Sequence, residues 1–224
     1  MAEAEHYFSP SPVSRSRRRT VTLRLKDMTL DLRTDRGVFS ADRIDPGTLL
    51  LLKHAPLPPP PAGNGTEAAS GRVLADVGCG YGSIAVTMAL RAPDATIWAT
   101  DVNERARELA ATNLAAAGVP VAGAGRPHRA GRARVCAPEE IPPSLRLDAF
   151  YCNPPVRIGN EALDDLLREW LSRLHPNGFA VLVMHKNLGA DSLARRLAAA
   201  GNEPRRLAIG GGYRVLQVPA GAEA

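Results

Sequence analysis

From Arg72 onward one pattern recurs: a short β-branched apolar run, a tight turn, then a longer stretch with apolar residues at helical spacing. "RVLADV" leads through the glycine-rich turn "GCGYG" into "SIAVTMALRA", and "ATIWATD" leads into "NERARELAATNLAAAG". Strands that alternate with helices cannot pair as hairpins. They must lie parallel, joined by right-handed crossovers, with helices on both faces of the sheet. The pattern therefore predicts a doubly wound, Rossmann-like α/β sheet. "RVCA", "LDAFYC" and "FAVLVMHK" continue it as strands, with helices from Glu161 to about Leu174, where "HPNG" is the stop, and over "ADSLARRLAAAG". "PRRLAIGGGYRVLQV" closes the chain as an antiparallel hairpin about a glycine turn.

Ahead of this region the rhythm differs. Val21, Leu23 and Leu25, then Met28, Leu30 and Leu32, alternate on either side of Lys26-Asp27, which suits a small antiparallel pair. "DPGTLLLL" reads as a turn followed by a helix start or a strand, and "APLPPPPAGNGTEAASG" as an exposed Pro/Gly tract. The expected organisation is a β-rich N-terminal extension over 1–53 packing on the main domain, a loop over 54–71, and the main domain over 72–219.

Composition narrows the classes. No apolar stretch is long enough to cross a bilayer, and the N-terminus lacks the basic-then-apolar order of a secretory signal. The three cysteines, Cys79, Cys136 and Cys152, show no C-x-x-C spacing, which argues against a disulfide framework or a zinc site. No metal and no membrane partner are expected, and a reducing cytoplasm is the plain reading. The net charge of +5 suits an anionic partner, but a GC-rich genome would also produce this excess of Arg over Lys.

Cofactor chemistry falls at the first strand–turn–helix. In open parallel sheets ligands bind beyond the carboxyl ends of the strands. Here the turn "DVGCGYG" carries Gly78, Gly80 and Gly82, preceded by Asp76, and Asp101 ends the next strand, where a carboxylate can accept from both ribose hydroxyls. Pyrophosphate sites want G-x-G-x-x-G, whereas this turn is G-x-G-x-G, with Ser83 at the third glycine's place. Asp76 would repel a pyrophosphate and suits a cationic ligand with an ammonium group. S-adenosylmethionine (SAM) carries sulfonium, ammonium and ribose without phosphate, so this chemistry favours it over a nicotinamide dinucleotide.

"DVGCGYG", "DVN" and "NPP" together resemble the motif series of class I SAM-dependent methyltransferases. "HYFS" (6–9), "GVFS" (37–40), "DPGTLLL" (45–51), "NPPVRIG" (153–159) and "GYRVL" (212–216) narrow the resemblance. They are similar to the small-methyltransferase domain family of bacterial enzymes that methylate a guanine exocyclic amine in small-subunit ribosomal RNA. The resemblance implies a seven-stranded methyltransferase sheet ending in the hairpin. It also implies that Gly78, Gly80 and Gly82 let the backbone approach the methionine part of SAM, with Asp76 near the ammonium. Asp101 would hold the ribose, with Val102 beside it, and the backbone N–H around Ala137 would meet the adenine. Ribosomal RNA or the small ribosomal subunit is the implied partner.

The stretch "NPPVRIG" carries the reacting end. An exocyclic amine is a poor nucleophile because its lone pair is delocalised into the ring, and accepting both its protons lets the nitrogen pyramidalise. Asn153 offers a side-chain carbonyl, and the backbone carbonyl of Pro154, held by the rings of Pro154 and Pro155, offers a second acceptor. Neither needs to titrate, so catalysis is positioning plus fixed dipoles. Val156 stands where many amine methylators have an aromatic residue, leaving Phe39 as the candidate to stack on the base and Arg157 to contact base or phosphate. "SRSRRRTVTLRLK" concentrates six cations that could bind RNA backbone or form a solvated arm. Alternative readings are methylation of another planar amine (adenine, a protein glutamine, a small molecule) and a non-catalytic rRNA-binding assembly module. A nicotinamide-dependent reductase is disfavoured by the glycine spacing.

Overall fold

The computed structural model describes residues 16–60, 71–122, 132–155 and 158–221. "HYFS", Val156 and Arg157 lie outside the described residues, as does most of the Pro/Gly tract.

Strands β1 (Arg19–Arg24) and β2 (Thr29–Thr34) pair antiparallel. Their alternation works as expected of a half-buried ribbon, with Val21, Leu23 and Leu32 buried and the intervening polar residues mostly exposed. The "DPGTLLLL" stretch, open between helix and strand in the sequence, is helix α1 (Pro46–His54). Asp45 decides it as N-cap, its side chain accepting from the Thr48 N–H at 2.7 Å, while Pro46 enters at a position whose N–H is not needed.

The main sheet follows: β3 (Val73–Val77), α2 (Ser83–Arg91), β4 (Thr96–Thr100), α3 (Glu104–Ala116), β5 (Ala133–Cys136), β6 (Leu147–Cys152), α4 (Asn160–Leu171), β7 (Leu174–His185), α5 (Ala190–Ala199), β8 (Arg205–Gly210) and β9 (Tyr213–Pro219). The seven strands run in the order β5-β4-β3-β6-β7-β9-β8. β3 to β7 are parallel, and β9 is antiparallel to both of its neighbours. Chain order reverses between β3 and β6, the switch point at which an open α/β sheet binds ligands.

Two cores sandwich the sheet. α1, α2, α3 and the β1–β2 hairpin bury Leu51, Ile84, Leu109 and Leu23 on one face. α4 and α5 bury Leu163, Trp170 and Leu193 on the other. One boundary differs from the sequence reading. α4 ends at Leu171, and "HPNG" lies within β7, whose register shifts opposite Leu147 to Ala149. Gly178 permits this, because a Cβ there would stand 3.0 Å from the Leu147 carbonyl oxygen.

Candidate active site

The carboxyl edge gathers most of the residues singled out in the sequence. Asp76 is 1% exposed, and its Oδ2 accepts from the Ala85 N–H at 2.9 Å, tying β3 to the first turn of α2. Its Oδ1 is buried without a partner. Burial, with the charge of Asp101 adding to it, pushes this carboxyl up to about 7 against the opposing pull of the Ala85 bond.

The three glycines of the turn are not equivalent. Gly78 and Gly80 have φ of +74° and +53°, and a Cβ on either would meet nothing within 4 Å, so their bare Cα atoms border open space. Gly82, with φ +85°, serves packing instead. A Cβ there would lie 3.0 Å from the Cα and Cβ of Ala110, so it lets α2 close on α3.

Asp101 braces the loop, its Oδ2 accepting from the Gly80 N–H and its Oδ1 from the Asn103 N–H, each at 2.9 Å. Burial raises its pKa in spite of these bonds and the nearby Arg107. Each oxygen keeps lone-pair capacity for a hydroxyl donor. Val102, beside it, is exposed, and Arg107 Nη1 donates to the carbonyls of Asp101 and Val102. Ala137 follows the last residue of β5 and caps a 3-10 turn over Pro138–Glu140, where its N–H already donates to Glu140 Oε2 at 2.7 Å.

Asn153 follows β6 directly. The pairing of Val77 with Cys152 sets it beside Gly78 across the switch point. Its Nδ2 donates to Asp45 Oδ2 at 2.9 Å and to Thr48 Oγ1 at 3.0 Å, both from the N-terminus of α1. Pro154 is buried and Pro155 half-buried. Phe39 is no core residue. It is 47% exposed on a loop held to the β4–α3 turn by Asn103 Nδ2 donating to the Gly37 carbonyl at 2.7 Å.

Sequence reasoning assigned no role to Asp45, Thr48 or Tyr213. The first two were marked only as members of the "DPGTLLL" stretch, read there as a turn and as part of the family resemblance. Tyr213 pairs with His185 at the β7 end and meets its ring edge-on, centroids 4.9 Å apart. Its ring covers Gly47 so closely that a Cβ there would lie 2.6 Å away. Among the described residues no cluster of His, Cys, Asp or Glu could hold a metal ion, and no helix is long and apolar enough to cross a membrane.

This strand order, with its reversed penultimate strand, glycine turn and strand-end acid, defines a Rossmann-like methyltransferase fold. Residues 29–217 match the methyltransferase small domain family, and the chain belongs to it. Among curated relatives it is 27% identical to the uncharacterized protein YbxB of Bacillus subtilis over 96% of this chain and 98% of that one. It is 34% identical to ribosomal RNA small subunit methyltransferase C of Hahella chejuensis over 71% of this chain. The match spans only 42% of the Hahella protein's length. Among solved structures, the T. thermophilus 16S rRNA N2 G1207 methyltransferase (RsmC), in complex with AdoMet and guanosine, superposes with a TM-score of 0.66. The two are 22% identical, over 90% of this chain and 50% of that one.

Proposed function

We propose that this protein transfers a methyl group from SAM to the exocyclic amine of a guanine in small-subunit ribosomal RNA. The observation that carries the reading is the Asn153 carboxamide, standing beside the glycine turn with both amide protons already donated. Only its carbonyl oxygen is left for an incoming group, and that group must be a hydrogen-bond donor.

The crevice fits the donor on its own features. Bare Cα atoms at Gly78 and Gly80 admit a close ligand, and Asp101 keeps acceptor capacity for ribose hydroxyls. The partnerless oxygen of Asp76 suits a cation rather than a phosphate. When bound, SAM supplies an electrophilic methyl group on a sulfonium. Asn153 Oδ1 and the Pro154 carbonyl would accept the two amine protons and hold the nitrogen lone pair in line. As the new C–N bond forms, the C–S bond breaks with its electron pair left on sulfur as a thioether, and the nitrogen gives up one proton to solvent, with no side chain changing its protonation state. Phe39, exposed beside the β4–α3 turn, is an aromatic group available to stack on an unstacked base. The Ala137 N–H can meet the adenine once Glu140 releases it. The relatives named as small-subunit rRNA methyltransferases support RNA as the acceptor.

The test is methyl transfer from labelled SAM to small subunits, naked 16S rRNA and total protein extract, followed by mass spectrometry of the nucleosides. N2-methylguanosine in rRNA is expected. Label in protein, or in adenine, overturns the acceptor. Asn153→Ala should lower kcat by about a hundredfold or more while leaving SAM affinity nearly intact.

A further inference from the structure

A carboxamide is ambivalent: its oxygen and its NH2 group have nearly the same shape, and a half-turn about its last bond exchanges an acceptor for a donor. At a site meant to receive an amine, the wrong orientation would set N–H against N–H. We infer that Asp45 and Thr48 are positioning residues that fix the polarity of Asn153, so that helix α1 makes the crevice selective for a donor. This rests on the role proposed for Asn153.

The geometry leaves one orientation. Asp45 Oδ2 accepts from both the Thr48 N–H at 2.7 Å and Asn153 Nδ2 at 2.9 Å. A carboxylate has no proton to give, so a flipped amide would press its carbonyl oxygen against a negatively charged one. Thr48 Oγ1, at 3.0 Å, takes the second amide proton. Both groups are held. Asp45 is 9% exposed and fixed as the cap of α1, and Thr48 is 5% exposed in its first turn. Tyr213 closes over Gly47, between them, and leaves no room for a side chain there. Neither Asp45 nor Thr48 needs to touch substrate; each acts through Asn153.

The variants follow from the caps. Thr48→Val keeps the shape and removes the hydroxyl acceptor. Asp45→Ser keeps a competent N-cap, but its side chain is too short to bridge to Asn153. Both variants should keep the far-UV spectrum and a SAM Kd within about twofold of the parent. Their kcat should fall by about ten- to a hundredfold, as for any loss of near-attack geometry, and Thr48→Ser should recover most of it. The orientation itself is read by NMR of asparagine-labelled protein, with the Asn153 NH2 resonance assigned by its loss in Asn153→Ala. Its proton exchange should be slow in the parent and should accelerate by about tenfold or more in Thr48→Val and Asp45→Ser, roughly the loss of one hydrogen bond's protection.

An unprotected Asn153 amide in the parent protein overturns the inference whether or not an acceptor has been found. So does an accelerated amide in a variant with undiminished kcat. Full activity of Asn153→Ala is a different result: it removes the role proposed for Asn153, whatever the amide does.

Discussion

Asp76 concentrates the chemistry of this fold in one side chain. Its carboxyl titrates at about 7 in the folded chain against an ordinary value of 3.8. The folded state therefore holds this proton more tightly than the unfolded one, and stability falls as pH rises through that window, levelling off above it. The difference corresponds to on the order of 4 kcal/mol. The other titratable groups facing it act in the same sense or not at all. Asp101 adds negative charge, and burial keeps the Cys79 and Cys152 thiols protonated throughout. Asp76→Asn retains an acceptor for the Ala85 N–H. Urea denaturation at pH 5 and pH 8 should show the parent losing stability between the two and the variant losing much less. A cationic ligand beside Asp76 would pull the carboxyl back down, so calorimetric SAM affinity should strengthen from pH 6 to pH 8 in the parent. It should stay nearly flat in Asp76→Asn. Equal slopes in the two proteins would remove Asp76 from the ammonium subsite.

At the scale of elements, three asparagines stitch the N-terminal segment to the loops of the carboxyl edge. Asn153 holds the start of α1, and Asn103 holds the Gly37 carbonyl. Asn113, 2% exposed on α3, accepts from the Arg33 N–H and donates to the carbonyls of Arg33 and Tyr81, each at 2.8 Å. One side chain thus joins β2 to the glycine turn. Asn113→Ala would strand an N–H and two carbonyls, and a loss of about 3 kcal/mol is expected in urea titration. SAM affinity should weaken with it, because Tyr81 belongs to the turn proposed to receive the donor. Sequence patterns made these residues unequally visible. Asn103 opens the stretch that the sequence reads as a helix, and in the structure it is the N-cap. Asn113 stands inside a helical run, where nothing in the neighbouring residues points to a partner 80 positions away.

For the whole molecule, the N-terminal extension shares the main sheet's core. Val21, Leu23, Leu32 and Val38 belong to the cluster that contains Ile84, Leu109 and Tyr151. Four buried side chains at about 2 kcal/mol each match a typical domain's net stability of about 5–15 kcal/mol. A chain beginning at Thr48 should therefore retain far-UV ellipticity, lose its near-UV signal and bind a hydrophobic dye. Cooperative unfolding of that truncated chain near the parent's midpoint would show the extension to be dispensable.

The amino-acid sequence by itself determined the sheet, the crossover helices, both hairpins and the glycine turn. Each of these is written in the period and turn chemistry of consecutive residues, within reach of one another before any folding. It also marked Asp76, Asp101 and Asn153 as strand-end polar groups, since a polar residue closing an apolar run stands out locally. Only the tertiary structure decided how those groups behave. The ionisation of Asp76 depends on complete burial, the separate task of Gly82 on its contact with Ala110, and the polarity of Asn153 on Asp45 and Thr48, more than 100 residues earlier. Burial, close approach and hydrogen-bond partners across such distances exist only once the chain has closed on itself.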